Sequence, residues 1–301
     1  MQSKKYYLAA FTAFLLWGFF SLALKPLANY PSIDILFYRI SAAVVLITGI
    51  NLIFRQQKLK ENVFLFKSLP KSEKLSIVKL SVLGGGLLLF NRFIFIYILN
   101  HISIKAASFG YLICPIVTTI LAFIILKEGL NKWQKASVVI SIIACLILGF
   151  QSLKDIVYSL MIAVSYALYL ISQRKNKKLD SFISLNIQML VMFLVLVPFY
   201  PAYAGAIPTE PLFYICLFFI VVFFTVIPLF LNLFALSGVS SSSVGIMLYL
   251  NPILNFLIAI FYFKESVTTL QLLGYTIIFC SVLIFNKEVL FGTSKPKIQN
   301  N

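Results

Sequence analysis

The sequence predicts an all-α polytopic membrane protein, with ten transmembrane helices arranged as two inverted five-helix repeats. Three observations carry this. The 301-residue chain is 61% hydrophobic and 11% charged, with a mean hydropathy of +0.98, whereas about a quarter of the residues in a soluble domain are charged. Its apolar residues gather in runs of roughly 20, the length that crosses a ~30 Å hydrocarbon core at about 1.5 Å per helical residue. One phrase also occurs twice: CPIVTTILAFIILKEGLNKWQ at 114–134 returns as NPILNFLIAIFYFKESVTTLQ at 251–271.

The runs are 6–24, 33–54, 80–99, 104–126, 133–150, 156–173, 182–203, 212–236, 239–263 and 268–286. They are too long and continuous for barrel strands, and lipid requires each to satisfy its backbone polar groups internally, so each is a helix. The first follows Lys4 and Lys5 and carries a small-x-small Ser21-Leu22-Ala23. It is long for a signal-peptide core, and Lys25-Pro26 leads directly toward the next run, so no cleavage is expected. The second contains Arg39, and the segment after it, 55–79, mixes lysines with apolar residues as membrane-surface segments do. The third holds Gly84-Gly85-Gly86, Asn91 and Arg92, and the fourth Tyr111 and Pro115. The sixth brings Tyr166 and Tyr169, the eighth Pro228 and Asn232. The ninth opens on Ser240 to Ser243 and contains Tyr249, Asn251, Pro252 and Asn255. Small-residue runs such as these let helix backbones approach closely. The expected organisation is a first repeat over 1–150 (helices 1–5), a second, inverted, over 151–288 (helices 6–10), and a cytoplasmic tail over 289–301.

The net charge of +16 does not indicate nucleic acid, because the basic residues sit in short inter-helix loops where the positive-inside rule uses them. Of the 25 Lys and Arg residues, 19 fall in loops on one side, four (Lys25, Lys105, Lys154, Lys264) on the other, and Arg39 and Arg92 within runs. That asymmetry places both termini inside. Cys114, Cys145, Cys216 and Cys280 all lie in runs without close pairing, so neither a disulfide framework nor a metal site is expected.

In the repeated phrase an ungapped offset of 137 sets Pro115 on Pro252, Lys127 on Lys264, Glu128 on Glu265 and Gln134 on Gln271. Five runs, an odd number, separate the copies, so they cross in opposite directions. The first run matches the sixth at an offset of 149, with Trp17 on Tyr166 and Lys25 on Arg174; the basic segment 55–79 accounts for the difference. Five helices followed by five inverted ones is the symmetry expected of secondary transporters, whose substrate site lies near the midplane between halves.

Ionisable groups inside a membrane are costly and commonly functional. Arg39 lies roughly 9 Å in from the outer end of its helix and Arg92 roughly 12 Å in from the outer end of its own, counting rise per residue. No Asp or Glu shares their depth, and His101, the only histidine, sits at a helix end. Each arginine has two readings, contact with an anionic solute group or snorkelling and carbonyl bonding. Trp17, Tyr111, Tyr166, Tyr169 and Tyr249, with Asn91, Asn251 and Asn255, add the apolar walls and hydrogen-bonding groups an amphipathic solute needs; helix packing is the alternative reading. Candidate substrate-binding residues are therefore Trp17, Arg39, Asn91, Arg92, Tyr111, Tyr166, Tyr169, Tyr249, Asn251 and Asn255. Pro115, Pro228 and Pro252 are candidate kinks or gates, because each frees a carbonyl.

The segments AFLLWGFFSLALKPLANYPSIDILFYRISAA (13–43), FNRFIFIYILNHISIKAASFGYLICPIV (90–117) and GIMLYLNPILNFLIAIFYFKE (245–265) resemble the RarD type of EamA-domain permeases in the drug/metabolite transporter superfamily. The elements Leu16-Trp17-Gly18, Ser108-x-Gly110-Tyr111 and Tyr249-x-x-Pro252 carry the likeness. It implies a ten-helix transporter of the bacterial cytoplasmic (inner) membrane, both termini cytoplasmic, with a central cavity lined by helices 1, 3, 4, 6, 8 and 9. It also implies export of metabolites, amino acids or drugs. Where the pattern has His before the helix-2 arginine this chain has Tyr38, and Asn91-Arg92 stands for Asn-Trp. Cys114-Pro115 stands for Asn-Pro, and Leu248-Tyr249 for Gln-Tyr. Substrate identity is therefore not carried over.

The leading expectation is a secondary transporter moving a small amphipathic metabolite (amino-acid-like, drug-like or an organic anion) by alternating access. A non-transporting subunit or sensor is the alternative, though no soluble domain accompanies the runs. An integral-membrane enzyme would need a paired carboxylate, an activated nucleophile or a metal cluster, and the runs hold no such set. A P-loop of the form GxxxxGK[ST] is absent, which excludes ATP-driven transport by this chain alone. Expected partners are a small-molecule substrate and membrane lipid, with no nucleic acid, no cofactor and no metal, the chain being a monomer or homodimer.

Overall fold

The structure, a computed structural model, describes residues 2–27, 29–101, 104–149, 153–262, 264 and 268–287. Glu265, the boundary at 150/151 and the tail 289–301 lie outside the described residues. The described chain is helical throughout its regular elements. In order these are α1 Gln2–Gly18, α2 Phe20–Leu24, α3 Ser32–Ile53, α4 Gln56–Ser68, α5 Lys71–His101, α6 Ile104–Leu126 and α7 Lys132–Leu148. They continue with α8 Leu153–Lys175, α9 Ser181–Leu196, α10 Pro211–Val221, a π-helical turn Val222–Val226, α11 Ile227–Gly238, α12 Ser241–Met247, α13 Leu250–Phe261 and α14 Thr269–Phe285.

Among the described residues six stretches are long and apolar enough to cross a membrane: Ser32–Ile53, Lys71–Phe95, Phe109–Leu126, Ile156–Lys175, Pro211–Gly238 and Ser241–Ile258. α9 and α14 are apolar but shorter. Several predicted runs are broken, and each break has a local cause. The first divides between α1 and α2 at Phe19, and Lys25–Leu27 follows as a 3-10 turn around Pro26. The seventh ends at Leu196 because Pro198 and Pro201 cannot continue a helix. The eighth contains the π turn, two residues before Pro228. The ninth breaks at Leu248 and Tyr249, just before Pro252 in the first turn of α13. The basic segment 55–79 is itself helical, as α4 and the start of α5. Leu69 between them is extended, the conformation a residue before proline prefers.

The repeated phrase has a repeated conformation. Lys127 and Lys264 both take the left-handed region, at φ 53 and 56. At the first, the Glu128 N–H reaches back six residues to the Ala122 carbonyl at 3.3 Å, and lysine holds the left-handed helix-end position where glycine is usual. Each copy then opens the next helix with a capping box, Asn131 with Gln134 on α7 and Thr268 with Gln271 on α14. The shared glutamine is thus a cap.

Contacts order the helix ends. At one end Tyr6 packs on Phe234 at 4.9 Å, Arg55 pairs with Asp180, Lys178 with Glu73, and Lys287 sits 3.7 Å over Trp133. At the other, Asp34 accepts from Tyr200 Oη and the Gly205 N–H, and Tyr30 Oη donates to Glu210. The basic loops thus share one end. α6 and α12 run antiparallel, since Glu128 beyond the α6 terminus accepts from the Ser241 and Ser242 N–H groups that start α12. Gly245 farther along α12 faces Thr118, where a Cβ would lie 2.7 Å from Thr118 Cγ2. α7 and α14 are also antiparallel: Ser137 Oγ donates to the Ser281 carbonyl, and Leu148 meets Gly274.

Candidate functional site

The middle of the bundle is built around a broken helix. Pro228 lacks the N–H that would bond the Phe224 carbonyl four residues earlier. That carbonyl instead accepts from Arg39 Nη2 at 2.8 Å and Trp17 Nε1 at 3.0 Å. Arg39 Nε also donates to Thr225 Oγ1, whose hydroxyl donates to the Ile220 carbonyl at 3.1 Å. The Arg39 guanidinium stacks 4.7 Å over the Phe20 ring. Arg39 and Trp17, each 8% exposed, thereby tie α3 and α1 to the eighth run.

Asn91 is fully buried on α5, with both amide donors and its carbonyl oxygen engaged. Its Nδ2 donates at 3.0 Å to both the Ile162 carbonyl and Ser165 Oγ of α8, and its Oδ1 accepts from Tyr111 Oη of α6 at 3.2 Å. It is a three-helix cross-link. Arg92, half-buried, is treated differently: its contacts among the described residues are Nη1 to Tyr111 Oη at 3.5 Å and the Trp17 ring at 5.9 Å. A guanidinium carries five N–H donors, so among the described residues most of its capacity is unused. Arg39 is near enough for the two like charges to repel.

Aromatic rings extend the group. Tyr111 meets Tyr166 edge-on at 6.5 Å, and Tyr166 lies 5.7 Å from Tyr169. Tyr166 Oη is buried without a partner, while Tyr169 Oη donates to Gln188 Oε1 at 3.2 Å. Seven of the candidate residues, Trp17, Arg39, Asn91, Arg92, Tyr111, Tyr166 and Tyr169, thus form one connected group. Among the described residues no hydrogen bond or ring contact joins Tyr249 or Asn251 to it. Tyr249 is fully buried, its hydroxyl beside Ser141 and Cys145 without a well-formed bond, and Asn251 Oδ1 is buried without a partner. The side chains of Asn255 and His101 lie outside the described residues.

Sequence reasoning missed Thr225, Gln173 and Gln188. Gln188 Nε2 donates to Gln173 Oε1 at 2.7 Å and to Ser184 Oγ at 3.2 Å, forming a buried amide network below Tyr169. Two glutamines inside apolar runs were the available signal. Thr225 gave none, because its role exists only once Pro228 has diverted the backbone.

A model of the EamA-like transporter family matches residues 4–150 and 153–287. The chain belongs to the EamA-like transporter family. Relatives include YojE of Bacillus subtilis, named an uncharacterised transporter, 28% identical over 94% of each chain. The RarD protein of Escherichia coli is 25% identical over 96% of each. A solved crystal structure superposes with a TM-score of 0.75, covering 97% of this chain and 99% of that one at 13% identity, which shows the shared fold alone. With several helices able to span a bilayer, this EamA-family chain is a multi-pass membrane transporter.

Proposed function

We propose that the protein is a secondary transporter of the bacterial cytoplasmic membrane, exporting a small amphipathic metabolite by alternating access between two inverted five-helix halves. Its termini and basic end face the cytoplasm. The observation that carries the substrate reading is Arg92, a half-buried guanidinium among Trp17 and Tyr111 with one long hydrogen bond, of 3.5 Å, among the described residues. A carboxylate or phosphate on the solute is its natural complement, the rings of Trp17, Tyr111 and Tyr166 accepting the apolar part. Arg39, by contrast, holds the kink at Pro228. The two copies of the linker at opposite ends and the antiparallel pairs α6–α12 and α7–α14 support the inverted halves. Ten crossings follow if the runs broken or shortened here each traverse the bilayer.

The test is flux in proteoliposomes carrying the purified full chain, against size-matched neutral, cationic, anionic and zwitterionic solutes. Preference for solutes with an anionic group is expected; equal flux of the neutral set would refute the role of Arg92.

A further inference from the structure

The segment joining α3 to α5 carries unpaired charge and apolar surface on the same side. α4 is held by its opposite face: Leu59, Asn62 and Phe66 are half-buried, and Asn62 Oδ1 accepts from the Asp180 N–H at 2.8 Å. Lys60, Val63, Phe64 and Lys67 form the outer stripe, at the i, i+3, i+4 and i+7 spacing that sets side chains next to one another on a helix. Phe64 is 76% exposed. Past Pro70, Lys74 Nζ donates to the Lys67 carbonyl at 2.7 Å, which fixes the hinge and sets the end of α4 against the start of α5. The exposed face of α5 runs from Lys71 through Leu75, Val78 and Val82 into a membrane-crossing stretch, with Lys79 beside it. The acids of this segment are already used, Glu61 by Lys58 and Glu73 by Lys178. Lys60, Lys67, Lys71 and Lys79 make no ion pair among the described residues.

We infer that the outer faces of α4 and of the first turns of α5 form a binding surface for acidic phospholipid in the leaflet at the basic end. Lys60, Lys67 and Lys71 take headgroup phosphates, while Val63 and Phe64 lie among the acyl carbons just beneath. Two observations choose this occupant. The first is charge complementarity, because four lysines without a carboxylate call for anions and the segment supplies none of its own. The second is continuity: at about 1.5 Å per residue Lys79 and Lys71 stand about 12 Å apart along α5, so the face that meets acyl chains at Val82 enters the polar layer, roughly 5–7 Å deep in each leaflet, among lysines. A merely solvated face accounts for the lysines and leaves Phe64 in water. An acidic protein accounts for them too, but it would have to seat on a convex face that continues into the lipid-facing side of α5. The surface requires only that the basic end lie at one membrane surface, so it stands or falls independently of what the protein carries.

The test uses the full chain in detergent micelles, titrated with dioctanoyl phosphatidylglycerol or dioctanoyl phosphatidylcholine, with bound lipid counted by native mass spectrometry. Phosphatidylglycerol should bind about tenfold or more tighter. At about fivefold per lysine beside an anionic surface, Lys60→Gln/Lys67→Gln should weaken it about 25-fold, while Lys60→Arg/Lys67→Arg keeps it. Phe64→Ser should weaken it about tenfold. Lys132→Gln/Lys135→Gln, which removes the same charge from α7 at the basic end, should leave it unchanged. Exposed substitutions of this kind leave folding intact, and melting without lipid reads that. Equal binding of the two lipids, indifference to Lys60→Gln/Lys67→Gln, or an equal loss in the α7 pair would overturn the surface. Full binding by Phe64→Ser would overturn it as well, since the lysines alone would then be collecting headgroups from solution. A poly-L-glutamate peptide bound at the same lysines more tightly than phosphatidylglycerol would make this a protein-docking face and refute the assignment.

Discussion

Replacing Arg39 with methionine keeps an unbranched side chain and removes the donors that hold the break before Pro228. Hydrogen bonds to charged groups contribute about 1.5–3 kcal/mol each, and Arg39 makes two, with Phe224 and Thr225. The ring contact with Phe20 adds on the order of 1 kcal/mol. Against this, methionine avoids burying a guanidinium without a carboxylate partner, worth several kcal/mol. The Phe224 carbonyl also keeps Trp17 as donor. The net loss is about 2 kcal/mol, lowering the apparent melting temperature by roughly 4–8 °C. Thermal unfolding in detergent, followed by size exclusion, reads it. A second arm sharpens the test: Pro228→Ala supplies the missing N–H, so Arg39→Met in that background should cost about half as much. Unchanged melting of Arg39→Met together with abolished flux would refute the reasoning and place Arg39 on the solute.

Arg92→Gln should reduce flux of an anionic or zwitterionic solute by about 30-fold or more, the cost of removing one partner of a desolvated charge pair, and leave a neutral solute and the melting temperature nearly unchanged. Lys127→Gly should be more stable than Lys127→Ala by about 1 kcal/mol, because both lose the charge and only glycine relieves the left-handed backbone; thermal unfolding of the pair checks it. Cysteine at Lys67, on the exposed side of α4, should resist membrane-impermeant thiol reagents outside intact cells and react in inverted vesicles. Labelling outside would reverse the orientation.

Much of the fold was legible because hydropathy and periodicity are local properties: the long apolar runs are helical over most of their described length. The repeated Lys-Glu and Gln positions were legible as a pattern but not as chemistry, since a left-handed lysine and a capping box appear only in backbone geometry. The breaks were half-legible. Pro228 announced one, but not that Thr225, Trp17 and Arg39 would share its consequences, which depends on helices far apart in sequence meeting at one depth. Asn91 drew notice as a buried amide and proved a three-helix cross-link, a distinction that requires counting partners. Gln173 and Gln188 carried the same signal and were passed over.

The acidic residues decide how the Arg92 site behaves when empty. Every described acidic side chain is engaged at a helix end or, for Glu61, on the exposed face of α4: Asp34 with Tyr200, Glu61 with Lys58, Glu73 with Lys178, Glu128 with Ser241 and Ser242, Asp180 with Arg55, Glu210 with Tyr30. None reaches the interior to neutralise Arg92. An empty site closed off from water would therefore hold a positive charge in a low dielectric, and a site loaded with an anionic group would not. The difference is several kcal/mol after relaxation, enough to make reorientation of the empty carrier at least tenfold rarer than that of the loaded one at 1.4 kcal/mol per decade. Solute-for-solute exchange across proteoliposomes should then outrun net efflux about tenfold or more, and Arg92→Gln should narrow that difference by leaving only the Arg39 charge in the empty site. Net efflux as fast as exchange in the unaltered protein would mean that the charge is neutralised by another group, and that Arg92 does not set the barrier.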